Sequence, residues 1–125
     1  MKFKFVICIL LGVLLINILM FSNASAEIVK NQEFEHLSID EGLSNEHVTT
    51  IFQDSKGYMW IGTIDGLNRY DGERVKIYNC RTNDKNTLSS TYINAIEEDD
   101  DGNIWIGTDN GLDILIRDTD KVLRI

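Results

Sequence analysis

The sequence predicts an all-β fold made of repeated four-stranded antiparallel meanders, and two observations lead to that fold class. The segment Trp60–Thr63 returns unchanged as Trp105–Thr108, forty-five positions later, and the residues around it align without a gap. Each copy is flanked by short β-branched runs and by Asp-Gly or Asn-Gly pairs, which favour strands joined by tight turns. A repeat of about 40 to 50 residues built from such strands is typical of a β-propeller blade.

The amino-terminal residues 1–26 have the pattern of a secretory signal peptide. Lys2 and Lys4 precede an apolar run, and Ala24-Ser25-Ala26 supplies the small-x-small pattern of a cleavage site after Ala26. The alternative is an uncleaved membrane anchor, because the apolar run from Phe5 to Phe21 approaches the length that spans a bilayer. Both alternatives predict an extracytoplasmic chain, either periplasmic or at the cell surface.

The remaining residues, 27–125, are expected to form an incomplete β-propeller. Residues 27–32 are polar and predict a short tether. The segment Glu33–Ser38 resembles the outer strand Arg74–Tyr78, and we interpret it as a closing strand that would pair with a final blade. Blade one covers about residues 42–86, with predicted strands His47–Gln53, Tyr58–Ile64, Leu67–Tyr70 and Arg74–Tyr78. Blade two covers about residues 87–125, with predicted strands Tyr92–Glu97, Asn103–Thr108, Leu112–Ile116 and a fourth that begins near Val122.

Two blades alone leave a burial problem. A blade inside a ring is covered on both faces, and propellers usually have four to eight blades. Two sheets leave one apolar face of each uncovered, which favours aggregation. The sequence therefore predicts either the front part of a longer protein or a unit that builds a ring from several copies. In both cases the expected partners are further blades, from the intact chain or from other copies.

The positions shared by the two repeats are expected to be architectural. The tryptophans supply large buried area between blades. The glycines permit turns or close approach of neighbouring sheets, and the aspartates are expected to bond backbone amides in turns. The positions with these roles are Asp54, Gly57, Trp60, Gly62, Thr63, Gly66, Asp99, Gly102, Trp105, Gly107, Thr108 and Gly111.

A ligand site, if present, is expected at one end of the ring. In a propeller the loops before the inner strands and those between the second and third strands emerge together around the channel mouth. Polar groups with one aromatic ring suit a hydroxylated ligand such as a carbohydrate or another small extracellular molecule. The candidate side chains are Asn45, Glu46, His47, Asp65, Thr91, Tyr92 and Asn110.

Composition argues against several other function classes. The net charge is −8, and loss of a leader that holds two lysines and no acidic residue makes it more negative, which disfavours nucleic acid and anionic lipid. Membrane contact is expected only through the leader. Cys80 is the single cysteine after the leader, so the sequence predicts no internal disulfide.

No metal, cofactor or catalytic group is predicted. Glu97, Asp99, Asp101 and Gly102 fall at calcium-loop spacing, but the twelfth position is Thr108 where such a loop has Glu. The two histidines, His36 and His47, have no recognisable nucleophile partner. We therefore expect a protein that is not an enzyme.

The motif Asp54–Thr63, followed by Asp65–Gly72, resembles the two-component regulator propeller repeat. The second copy, Asp99–Leu112, is equally similar and then departs at Asp113–Ile116. This resemblance implies the amino-terminal part of an extracytoplasmic, ligand-sensing propeller that is not itself catalytic, of the kind placed ahead of a membrane helix and a histidine kinase or similar output module. Some relatives sense carbohydrate fragments. The alternative is a secreted interaction or scaffold protein that assembles a propeller from several copies, and a propeller hydrolase or lyase has the least support.

Overall fold

A computed structural model describes residues 2–4, 7 and 35–125 of the chain. Residues 2–4 and 7 are helical, and the rest of the predicted leader, its cleavage site and the tether at 27–32 lie outside the described residues. Among the described residues no helix combines the length and apolar character needed to cross a membrane. Residues 35–125 form one compact unit.

Two four-stranded antiparallel sheets make up residues 48–124, and each is a simple meander in chain order. The all-β fold class is therefore confirmed. Blade one contains β1 (Val48–Gln53), β2 (Met59–Thr63), β3 (Gly66–Tyr70) and β4 (Val75–Tyr78), and blade two contains β5 (Ile93–Glu98), β6 (Ile104–Thr108), β7 (Gly111–Ile116) and β8 (Lys121–Arg124). The strands begin and end within one or two residues of the predicted bounds, because turn glycines and aspartates mark the boundaries.

The two blades share an irregularity as well as a strand order. The pairing of β1 with β2 shifts register between Val48 and Thr50, and the pairing of β5 with β6 shifts between Ile93 and Ala95, the equivalent positions of the repeat. A β-bulge bends and twists an inner strand locally. The two repeats thus share a backbone irregularity as well as a set of identical residues.

Blade two packs on one face of blade one through its inner strand β5, which lies against β1 and β2. The buried cluster between the sheets includes Trp60, Leu67 and Ile93. Thr49 of β1 also donates a hydrogen bond to the Ile93 carbonyl at 2.5 Å. The Trp60 side chain is 1% exposed, whereas Trp105, its counterpart in blade two, is only half-buried. Trp60 is therefore buried because a neighbouring blade covers it.

The opposite face of each blade stays open within residues 35–125. On blade one, Ile51 and Ile77 lie in one cross-strand row and are exposed. On blade two, Leu112 and Leu123 lie on the Trp105 face and are exposed as well. Two meanders thus leave one apolar face of each uncovered, as the burial argument expects.

The predicted closing strand, Glu33–Ser38, is described only from Glu35, and Glu35–Ser38 are not in a strand. The chain instead turns at Ser38, whose backbone N–H and hydroxyl both donate to the Glu41 carboxylate. A strand needs a hydrogen-bonded neighbour. The neighbour assigned to this segment was a final blade, which is not one of the two sheets described, so the closure of a ring stays a prediction.

Candidate functional site

The loops predicted to share one end of the propeller lie side by side. The Ile64 N–H donates to the His47 carbonyl in blade one, and the Asp109 N–H donates to the Tyr92 carbonyl in blade two. The Gly66 N–H donates to the Thr91 carbonyl at 2.8 Å, which joins the turn of blade one to the loop that leads into blade two. Backbone hydrogen bonds therefore place the candidate loops along one edge that crosses both sheets.

Some side chains at this edge form hydrogen bonds with backbone atoms of the loops, and others are exposed to solvent. Asn45 accepts a hydrogen bond from the His47 N–H at 2.8 Å, and Asn110 donates to the Ser89 carbonyl at 3.1 Å, so both amides help to shape their own loops. Glu46, His47, Asp65 and Tyr92 are exposed, and Thr91 is half-buried. The edge therefore offers carboxylate, imidazole and phenol groups to solvent on a backbone held by hydrogen bonds, and its binding role stays a prediction.

A network of buried hydrogen bonds, here called the polar lock, lies directly beneath this edge in each blade. It is centred on Asn68 in blade one and on Asp113 in blade two. In blade one, the Asn68 side chain accepts from the Ser44 N–H and donates both to the Ser44 hydroxyl and to the Ile61 carbonyl. Thr63 donates to the Gly66 carbonyl at 3.0 Å and thereby closes the turn between β2 and β3. These contacts fix the loops above, because every buried polar group of Asn68 has a partner.

Blade two has Asp113 at the position of Asn68. The Asp113 carboxylate accepts from the Ser89 N–H and hydroxyl through one oxygen, at 2.7 and 2.9 Å. Its other oxygen, Oδ1, is buried and has no hydrogen-bond partner among the described residues. A carboxylate cannot donate to the carbonyl of Ile106, as the Asn68 amide does to Ile61, so the lock is incomplete in blade two.

The shared aspartates anchor the turns before β2 and β6. The Asp54 carboxylate accepts from the N–H groups of Lys56 and Tyr58, both at 2.9 Å, and from the Trp60 indole at 2.7 Å. Burial of the Asp54 carboxyl raises its pKa, but hydrogen bonds from Trp60 and Arg117 outweigh this effect, and the pKa lies below its usual range. The Asp54 carboxylate is thus stabilised in its charged form.

The second copy repeats this arrangement. Asp99 accepts from the Trp105 indole at 2.9 Å and from the Asn103 N–H at 2.8 Å, and these bonds hold its pKa below the usual range. The six-residue spacing from aspartate to tryptophan was visible in the sequence, but the indole bond was not predicted. Both oxygens of Asp99 are engaged within its own turn, and among the described residues no three His, Cys, Asp or Glu side chains form a group that could hold a metal ion.

Gly62 shows why the repeat has glycine within β2. A Cβ atom at this position would lie 2.7 Å from Cγ2 of Ile93 and 2.7 Å from Cγ2 of Thr50. At Gly107, the equivalent position of β6, the nearest atom would be the Ala95 Cβ at 3.5 Å. One tight contact at Gly62 comes from Ile93 of the neighbouring blade and the other from Thr50 of the adjacent strand β1. The glycine is therefore required where a second sheet packs on β2 and where β1 has a threonine beside it.

Sequence reasoning missed the polar contacts between the two blades. Arg117 donates to Asp54 and to Glu98, both at 2.9 Å, and Glu98 also accepts from the N–H and hydroxyl of Ser55. On the outer strands, Tyr78 donates to Asp120 at 2.6 Å. No periodic signal marks these residues, because the contacts that cross between the blades join positions more than 40 residues apart.

The two repeats also match known proteins. Residues 42–65 and 87–110 match the family model described as two component regulator propeller. A histidine kinase of Formosa agariphila is 41% identical over 59 residues, which are 47% of this chain and 4% of that protein. The extracellular domain of a protein classed as a hybrid two component system from B. thetaiotaomicron has 30% identity and a TM-score of 0.65, over 72% of this chain and 13% of that chain.

This chain thus spans a small part of the length of these two relatives. The matched segments begin at Gly42 and Thr87, one repeat apart, and each runs from the loop before an inner strand to the turn after the second strand. Sequence and structure therefore agree on the same unit. Residues 42–65 and 87–110 are thus similar to the two component regulator propeller repeat.

Proposed function

We propose that this chain is an extracytoplasmic, ligand-sensing propeller segment of a two-component-type signal transduction protein, and that it is not catalytic by itself. The observation that carries the proposal is the polar edge at which the loops of both blades meet. The similarity to an extracellular domain of a hybrid two component system supports an extracytoplasmic location. The family match supports a role in signal transduction.

The chemistry of the edge favours a hydroxylated ligand. Tyr92 is 40% exposed, and its ring can pack against the apolar face of a sugar while nearby Asp65 and Asn110 exchange hydrogen bonds with hydroxyl groups. A neutral or hydroxyl-rich molecule also suits a chain with net charge −8 better than an anionic one does. We therefore propose a carbohydrate or a similar small extracellular ligand.

The position of the edge suggests how binding could be relayed. The hydrogen bond from the Gly66 N–H to the Thr91 carbonyl joins the two blades at this edge. A ligand that contacts Asp65 of blade one and Tyr92 of blade two would bind one arrangement of the blades better than others. A ligand shifts a conformational equilibrium only through such a difference in affinity.

Calorimetric titration of the full chain with a panel of neutral oligosaccharides tests this proposal. We expect one oligosaccharide class to bind and Tyr92→Ala to weaken that binding at least tenfold. Tyr70→Ala is the matched control, because Tyr70 lies at the opposite end of β3 and donates to the Gly72 carbonyl. Absence of binding across the panel, or equal loss in both variants, would contradict a carbohydrate site at this edge.

A second candidate function is a secreted scaffold that builds a ring from several copies. The exposed apolar rows around Ile51 and Leu123 favour it, because two copies could cover each other's open faces. Light scattering coupled to size exclusion distinguishes the candidates. A closed oligomer of defined mass supports the scaffold, and a monomer that binds oligosaccharide supports the sensor.

A further inference from the structure

The contact between the two blades contains a buried ion pair of defined geometry. Arg117, in the turn after β7, reaches back to Asp54 of blade one, with Nη2 2.9 Å from Oδ2. The same nitrogen lies 2.9 Å from Glu98, and Nε donates to the Gly102 carbonyl. The Asp54 side chain is fully buried, and the Arg117 side chain is 13% exposed. A cation from one blade thus neutralises the carboxylate that anchors the tryptophan of the preceding blade.

The repeat places the same carboxylate on the open face of blade two. Asp99 holds the Trp105 indole at 2.9 Å, as Asp54 holds Trp60 at 2.7 Å. Within residues 35–125, however, no guanidinium or ammonium group pairs with Asp99. Trp105 is half-buried and its neighbours Leu112 and Leu123 are exposed, so the apolar part of this face is uncovered as well.

The turn of Asp99 is more acidic than its counterpart. Asp100 stands where blade one has Ser55, the residue that donates to Glu98 of the neighbouring blade. A glutamate brought to Asp100 by a third sheet would be repelled. Asp101 adds another exposed carboxylate. The covering sheet must therefore bring positive charge and not a copy of Glu98.

Blade one of a second copy does not satisfy this requirement at the decisive position. The residue that stands forty-five positions before Arg117 is Gly72, which has no side chain to reach Asp99. Gln53 occupies the position of Glu98 and is neutral. Head-to-tail association of identical chains would bury the Asp99 face without a cation at the position of Arg117.

We propose that the open face of blade two, formed by Asp99, Trp105, Leu112 and Leu123, docks a further four-stranded blade whose third-to-fourth-strand turn presents an arginine or lysine to Asp99. The occupant is thus a blade with a cation at the position of Arg117 and no carboxylate at the position of Glu98, and not blade one of another copy. This interface does not depend on the ligand-sensing role. The charge and the apolar residues of this interface determine which kind of sheet can pack on blade two.

A tandem variant tests the interface. Repeating residues 81–125 directly after Ile125, with Glu98→Gln in the appended copy, keeps the forty-five-residue period. The appended blade then brings its own copy of Arg117, and no carboxylate opposite Asp100, against the open face. Trp105 of the original blade is kept as the sole tryptophan by Trp→Phe changes at Trp60 and in the appended copy. We expect acrylamide quenching of Trp105 to fall at least threefold relative to the unextended chain. Unchanged quenching would overturn the proposal.

The role of charge is tested in the same tandem. Arg→Met at the appended copy of Arg117 is expected to shift the unfolding equilibrium at least tenfold toward the unfolded state. Asp99→Asn in the original blade should remove most of that difference, because the arginine then has no charged partner. An equal effect of Arg→Met in the presence and absence of Asp99→Asn would overturn the proposed pairing. The matched control is Arg→Met at the appended copy of Arg81, an exposed residue in blade one's connection, which should change neither readout.

Discussion

Arg117 Nη2 lies 2.9 Å from Asp54 Oδ2, and this contact joins positions 63 residues apart across the boundary between the two sheets. The Asp54 carboxylate also holds the Trp60 indole, which is itself part of the apolar core between the blades. One carboxylate thus connects a turn, a core tryptophan and the neighbouring blade. Because it is fully buried, its charge needs all of these donors.

Removal of the arginine should therefore destabilise the protein strongly. Arg117→Met leaves the Asp54 charge buried without its cation, and breaking a buried pair on one side costs about 3 kcal/mol or more. Urea unfolding followed by tryptophan fluorescence measures the change. Arg81→Met removes an exposed arginine and should change the free energy of unfolding by less than about 0.5 kcal/mol. A similar cost in both variants would contradict the importance of the buried pair.

The same carboxylate predicts a pH dependence of stability. Burial raises the pKa of Asp54, but hydrogen bonds from Trp60 and Arg117 lower it further, so its folded pKa lies below the unfolded value of about 3.9. Its stabilising contribution is therefore present above that pH and is lost as the pH falls through the folded pKa. The difference in unfolding free energy between the unmodified chain and Asp54→Asn should be largest near pH 7 and shrink below about pH 4.

Denaturant unfolding at several pH values checks this expectation. Asp118→Asn, at an exposed carboxylate in the turn after β7, serves as the control and should have a small effect near pH 7. A difference between the unmodified chain and Asp54→Asn that stays constant from pH 7 to pH 3 would contradict the assignment.

The two glycines of the shared strand should differ in their tolerance of alanine. Gly62→Ala places a methyl group 2.7 Å from Ile93 of the neighbouring sheet and 2.7 Å from Thr50 of β1, and it should cost about 1–3 kcal/mol through overpacking. Gly107→Ala meets only ordinary contact with Ala95 at 3.5 Å and should be close to neutral. Thermal unfolding of both variants measures the difference, and equal costs would contradict crowding by Ile93 and Thr50 as its cause.

The incomplete polar lock of blade two should be repairable. Asp113→Asn supplies an amide that can donate where the carboxylate oxygen has no partner, and we expect a gain of about 1 kcal/mol at neutral pH. The reciprocal change, Asn68→Asp, removes the bond to the Ile61 carbonyl and should cost about 1–3 kcal/mol. Chemical unfolding of the two variants tests both signs, and a loss of stability in Asp113→Asn would contradict this account.

Much of the fold could be predicted because its signals are local and repeated. The Trp60–Thr63 segment and its copy located β2 and β6, and the Asp-Gly and Asn-Gly pairs located the turns that follow them. The placement of the candidate edge also followed from strand order alone. By contrast, the closing strand depended on a partner sheet outside these two blades, and Glu35–Ser38 are not in a strand.

The sequence by itself determined a repeated meander with its turns, its charge and its resemblance to a propeller repeat, since strand period, positive-φ positions and net charge are properties of neighbouring residues or of simple sums. Only the tertiary structure decided which tryptophan is covered, which arginine neutralises Asp54 and which buried oxygen of Asp113 lacks a partner. These outcomes depend on contacts between sheets whose residues lie tens of positions apart. No local pattern specifies such contacts, because each arises only when two finished sheets pack together.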